Sequence, residues 1–87
     1  MDFEFDPAKS AANQAKHGLD FLAAQALWQD PERLTLPSAH LAEPRQLVVG
    51  RLGGELWTAI ITWRGNRIRL ISVRRSRPSE TKLYEAK

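Results

Sequence analysis

Between Arg67 and Arg77 the chain reads RIRLISVRRSR, five arginines in eleven positions. Guanidinium groups stay charged and bind phosphate through paired N–H donors. Arranged around a phosphodiester, they stabilise the charge that develops when the phosphorus is attacked. Arg45 and Arg51 lie on what reads as a neighbouring strand. The plain alternative is that charged side chains at the edges and ends of a small sheet keep it soluble. On residue types alone, that alternative is favoured.

Proton transfer needs other groups. His17 stands between Lys16 and Gly18 at the end of an expected helix. A histidine there can act as general acid or base near neutral pH, or merely complement the helix dipole. Glu80 and Tyr84 share a helix face at i,i+4 spacing, where a carboxylate and a phenol could relay a proton or simply pair on a solvent face. His40 falls in an expected loop without a partner at metal spacing. With two histidines and no cysteine, a zinc site is disfavoured, and no metal or cofactor is expected. GRLGG (50–54) lacks the Gly-Lys-Ser/Thr ending of a phosphate loop and reads as a hairpin turn. Trp57 and Trp63 can stack bases, but their strand periodicity reads first as core.

The elements that must position these groups follow from local pattern. FEFD is a short strand signal. Asp6-Pro7 opens a helix in which Ala8, Ala11, Ala12 and Ala15 form a small-residue face, with Lys9, Asn13 and Lys16 elsewhere, and Gly18 caps it. Asp20 caps a second helix with an apolar stripe of Phe21, Ala24, Leu27 and Trp28, stopped at Asp30-Pro31. RLTLP, QLVVGRL, LWTAIITW and IRLISV are strands. Gly53-Gly54 and Gly65-Asn66 are two-residue hairpin turns. Ser79 to Ala86 forms a short helix that must dock to be stable. The expectation is an α+β fold: a small antiparallel sheet of about four strands, two N-terminal helices packed on it and a short C-terminal helix. If both turns have two residues, Val73 and Arg75 share a face with Leu47, Val49, Thr58 and Ile60. Arg74 then falls on the opposite face with Val48 and Ala59.

The chain has 87 residues, which suits a single domain over 1–87. Residues 1–43 carry net charge −4 (three basic, seven acidic), and residues 44–87 carry +7 (ten basic, three acidic). A basic half rich in arginine favours a polyanion or an acidic protein as partner. The acidic start MDFEFDP lacks the layout of a signal peptide, and LWTAIITW is too short to span a bilayer. The reading is a cytoplasmic protein without membrane contact.

The pattern D-P-x-K…N…K-H-G near the start, a helix ending at Asp30-Pro31, and IRLISVRRSRPSETKLYE together resemble the BrnT toxins of type II toxin–antitoxin systems. The resemblance covers almost the whole chain, with mild departures at Val73 and Ser76; residues 32–47 match least. It implies a fold like that of the RelE ribonucleases and RNA cleavage that inhibits translation and growth. It also implies a BrnA-type antitoxin with a ribbon-helix-helix domain, which forms a hetero-oligomer with the toxin and alone contacts DNA. The matching positions are Lys16, His17, Arg69, Arg74, Arg75, Glu80 and Tyr84. The expected chemistry is attack of the ribose 2′-hydroxyl on the adjacent phosphate. Arg69, Arg74 and Arg75 would stabilise the phosphate, and His17, Glu80 or Tyr84 would transfer protons. Lys16, Arg51, Arg67 and Arg77 would bind substrate. The competing reading is a non-catalytic basic module that holds an acidic protein or nucleic acid. A groove-reading DNA binder is disfavoured, because no expected helix carries a basic face.

Overall fold

Asp6 accepts a hydrogen bond from the Ala8 N–H at 2.9 Å and Pro7 takes the first helical position, so helix α1 (Pro7–His17) starts at the expected cap. It ends at Gly18, whose φ of 86° is the left-handed conformation that glycine adopts without a Cβ penalty. The computed structural model describes residues 2–38 and 44–86; His40 lies outside them. The remaining elements are β1 (Asp2–Glu4), α2 (Phe21–Ala24), a 3-10 helix (Gln25–Gln29), β2 (Leu34–Pro37), β3 (Gln46–Leu52), β4 (Glu55–Arg64), β5 (Arg67–Arg75) and α3 (Pro78–Glu85).

The strands form one five-stranded sheet in the order β1-β5-β4-β3-β2. The FEFD signal becomes β1, which pairs parallel with β5 and adds a fifth, parallel strand to the expected antiparallel sheet of about four. Both hairpins have the expected two-residue turns, at Gly53-Gly54 and Gly65-Asn66. One face is covered by α1, α2 and the 3-10 helix. There Phe21, Ala24 and Leu27 pack on Val48, Trp57, Ala59, Ile61, Ile68, Leu70 and Val73. The other face carries Val49 and Leu56, closed at one end by Tyr84 of α3 and by Leu34 and Leu36 of β2. Away from α3, the cross-strand pair Leu47–Ile60 stays half-buried on that face.

Three features correct the expectations or go beyond them. The first concerns register. From Arg64↔Arg67 to Ile61↔Leu70 the β4–β5 pairing follows the tight turn, but beyond that Ile60 faces Ser72 and Thr58 faces Arg74. β5 therefore carries one extra residue, Ile71, as a bulge. A one-residue shift exchanges the faces of everything after it. Val73 joins the helix-covered core and Arg74 turns to the α3 side, the reverse of the assignment from turn length.

The second concerns α1. Its buried residues are Ser10 and Asn13, while Ala8, Ala11, Ala12 and Ala15 are exposed. The inward stripe is polar because it meets backbone. Ser10 Oγ accepts the Phe21 N–H at 2.9 Å. Strand β1 covers the outer edge of β5 only as far as Arg69. Beyond it the Asn13 carboxamide takes the place of a strand, accepting from Val73 N–H at 3.1 Å and donating to Val73 C=O at 2.8 Å and Leu19 C=O at 2.7 Å. An open edge is thereby closed by one side chain. Replacing Asn13 with alanine leaves these buried backbone groups unpaired, so we expect a loss of about 2–3 kcal/mol in stability. Denaturant unfolding measures it; a loss under about 0.5 kcal/mol removes this role from Asn13.

The third concerns the second helix, which makes one α-helical turn and then tightens into the 3-10 helix. The tighter turn brings Leu27 over β3 at Gly50, where a Cβ would stand 3.3 Å from both the side chain and the carbonyl oxygen of Leu27. Trp28 meets Phe3 edge-on with ring centres 4.9 Å apart, which ties this segment to β1.

Candidate active site

Helix α3 is eight residues long and has too little apolar surface to stand alone. It docks through its two buried residues, Glu80 and Tyr84. The Thr58 hydroxyl donates to Glu80 Oε1 at 2.9 Å and the Arg77 N–H donates to the same oxygen at 2.8 Å. Arg74 donates from Nη1 to Oε1 and from Nη2 to Oε2, both at 2.8 Å. This is a two-pronged ion pair in which the Arg74 and Glu80 side chains are only 17% and 7% exposed. Ser76 Oγ stands 2.8 Å from Thr58 Oγ1 and completes the network.

The electrostatics follow from these contacts. The Arg74 guanidinium, with the Arg77 and Thr58 donors, holds the Glu80 carboxyl down at about 2 despite its burial. Arg74 is pushed up from its ordinary value by the same hydrogen bonds. Both Glu80 oxygens are occupied, so the group is a fixed anion whose geometry orients Arg74. Arg74 also donates to the Arg75 carbonyl at 3.3 Å. Arg75 projects to the other side of the strand, where its guanidinium lies 5.6 Å from the centre of the Trp57 ring and pairs with Glu55 at 2.7 Å. Its side chain is 58% exposed. Arg77, ahead of α3, is also exposed.

A second cluster anchors the far end of α3. The Tyr84 hydroxyl donates to Asp30 Oδ2 at 2.6 Å, and the Arg51 N–H donates to the same oxygen at 2.8 Å. The Arg51 guanidinium lies 5.7 Å from the Tyr84 ring centre. The Asp30 carboxylate raises the Tyr84 pKa above that of an ordinary phenol, so the hydroxyl stays protonated. Asp30 was legible only as the end of a helix. Thr58 did leave a signal, as one of two hydroxyls, with Thr62, in the mostly apolar run LWTAIITW.

The sequence-derived candidates divide into groups. Arg74 and Glu80 meet where β5 passes into α3, with Arg77 beside them, Arg75 on the other side of the strand, and Tyr84 and Arg51 farther along the helix. Lys16 and His17 lie in the last turn of α1. Glu4 is level with Arg69, and Asn13 bonds Val73 farther along. Helix α1 therefore meets β5 at Val73, on the side of the sheet opposite the Arg74 side chain. His17 is half-buried there, on the helix-bearing side. Arg69 is not gathered in. It stands five residues back along β5, roughly 16 Å from Arg74, and pairs with Glu4 at 2.8 Å. Arg67 lies farther back at the β4–β5 hairpin. Trp57 is core as expected, but Trp63 is 51% exposed. Among the described residues, no three His, Asp or Glu side chains form a metal-ligating group. Nor is any helix among them long and apolar enough to cross a membrane.

A small α+β domain that fixes a guanidinium with a buried carboxylate at one end of its sheet, and sets further exposed arginines beside it, has the form of a protein that handles phosphodiesters. Residues 5–80 match the ribonuclease toxins, BrnT, of type II toxin–antitoxin systems, and the chain belongs to that family. As a member of a toxin–antitoxin family, it has an antitoxin as its partner. No match was found among curated proteins.

Proposed function

We propose that this chain cleaves RNA without a metal ion, stops translation and growth by doing so, and is neutralised by a BrnA-type antitoxin whose ribbon-helix-helix domain makes the DNA contacts. The observation that carries this reading is the Arg74–Glu80 pair, a guanidinium held in one orientation beside exposed Arg75 and Arg77. A pre-oriented cation needs no reorganisation as charge develops on the phosphate. In the reaction, the ribose 2′-hydroxyl forms a bond to phosphorus and the bond to the 5′ oxygen breaks, leaving a 2′,3′-cyclic phosphate and a 5′-hydroxyl. Arg74 binds the non-bridging oxygens, and Arg75, on the other side of the strand, holds a flanking phosphate. His17 lies on the face of the sheet opposite Arg74, so the proton leaving the 2′-hydroxyl and the proton gained by the 5′ oxygen pass through water rather than through His17.

Glu80 takes a different part from acid or base, because at about 2 its carboxyl is a poor proton acceptor near neutral pH. It positions Arg74. Tyr84 and Asp30 hold α3 in place. Arg67 and Arg69 serve phosphates distant from the one cleaved, and Lys16, Arg51 and Arg77 add to the field that attracts a polyanion. Purified chain incubated with RNA and excess chelator is expected to yield cyclic-phosphate and 5′-hydroxyl ends. Intact RNA, with normal growth on induction, overturns the reading in favour of a non-catalytic binding module. Cleavage that needs a divalent ion and leaves 5′-phosphates overturns the mechanism alone.

A further inference from the structure

The hairpin end of the sheet, about 23 Å along β5 from Arg74, has features that the Arg74 end does not use. An open cleft of about 430 Å³ lies between the start of β1 and the 3-10 helix, lined by Asp2, Phe3, Gln25 and Arg67. Its lining is mostly polar, which suits a ligand that forms hydrogen bonds. Phe3 is level with Ile68 of β5, and Ile68 with Trp63 of β4. Trp63 therefore stands two strands away, at roughly 10 Å. It is 51% exposed, yet its indole N–H donates to Gln46 Oε1 at 3.0 Å, which holds the ring in one orientation. At the turn, Arg64 and Arg67 face each other as cross-strand partners. Both are exposed, and neither is in an ion pair among the described residues. Like charges directly opposed in a sheet destabilise it, and a bound anion relieves that cost.

We infer that this end of the sheet is a second RNA-binding site, in which Trp63 stacks one base of single-stranded RNA, the cleft receives a neighbouring base, and Arg64 and Arg67 hold the phosphates. The inference rests on the reading that the chain binds RNA, and extends it to nucleotides far from the cleaved bond. A held aromatic ring at a sheet end, with arginines that start from the opposite face at the adjoining turn, combines the stacking and the charge that bind single strands with little sequence preference. Asp2, Gln25 and Arg67 in the cleft can hydrogen-bond a base edge, as such groups do elsewhere. An acidic protein is less favoured, because the cleft itself contains Asp2.

The test is binding of a fluorescent single-stranded 2′-O-methyl RNA of about twelve nucleotides, whose blocked 2′-hydroxyls prevent cleavage, over a range of salt concentrations. Trp63→Ala is expected to weaken binding about tenfold and Trp63→Phe less than about threefold, because the phenyl ring still stacks. Arg67→Gln is expected to weaken binding and reduce the salt slope by about one. Circular dichroism confirms that each variant is folded. If the parent chain binds this RNA and both Trp63→Ala and Arg67→Gln bind it equally well, the second site is overturned while the RNA reading stands. If the parent chain binds no RNA, both fall. If Trp63→Ala loses only the antitoxin, the surface is a protein interface and the proposal is overturned.

Discussion

Replacing Arg74 with lysine is expected to slow RNA cleavage about 100- to 1,000-fold, the usual cost of removing one fixed donor from a developing oxyanion. Lysine keeps the charge but loses the planar fork that bonds Glu80 with two N–H groups. The substitution keeps a cation beside Glu80, so the chain should remain folded. Arg74→Ala is a poorer probe, because it strands a nearly buried carboxylate and lowers stability together with activity. Single-turnover cleavage of a defined RNA, with circular dichroism on the same samples, measures the effect. Cleavage by folded Arg74→Lys within about threefold of the parent would remove Arg74 from the centre of the mechanism.

The second large effect falls on stability. Glu80 accepts four hydrogen bonds, from Thr58, Arg77 and twice from Arg74. Glu80→Ala removes all four and leaves Arg74 without its counter-ion, for which about 3 kcal/mol is expected. An 87-residue domain has a total of roughly 4–13 kcal/mol, so the midpoint of thermal unfolding should drop by roughly 12–24 °C. The pH dependence has a definite sign. The folded-state pKa of Glu80 is lowered from 4.5 to about 2. Its stabilisation is therefore complete above pH 4.5 and is lost as pH falls from there through 2. Glu80→Gln should differ most from the parent at neutral pH, and the difference should shrink on acidification. A gap between parent and Glu80→Gln that stays constant from pH 7 to pH 2 contradicts this assignment. The same variants separate support from chemistry: a positioning role predicts slower cleavage with an unchanged pH–rate profile near neutrality, because Glu80 does not titrate there.

Much of this molecule is written locally. The Asp6-Pro7 cap, the Gly18 stop, both two-residue hairpin turns and strand β3 (Gln46–Leu52) depend on neighbours a few residues apart, and each is where the sequence places it. The pattern shared with a toxin family runs through the same local segments, so the class of the protein was legible as well. In α1 the small-residue face of alanines is exposed, and the residues that face inward are those with a carboxamide and a hydroxyl to offer exposed backbone.

What the tertiary structure alone decided involves partners far apart in the chain. Asn13 and Val73 are 60 positions apart and Asp30 and Tyr84 are 54 apart, and no periodicity links them. The bulge at Ile71 shows in RIRLISVRR only as the Leu70-Ile71 doublet, where the apolar positions pass from even to odd, and it takes the pairing with β4 to show which residue is the extra one. Yet that single extra residue turns Arg74 toward Glu80 and Arg75 toward Trp57. The sequence by itself determined that arginines would crowd this strand. Only the packed sheet, whose faces exchange with a one-residue shift, determined which of them meets the carboxylate.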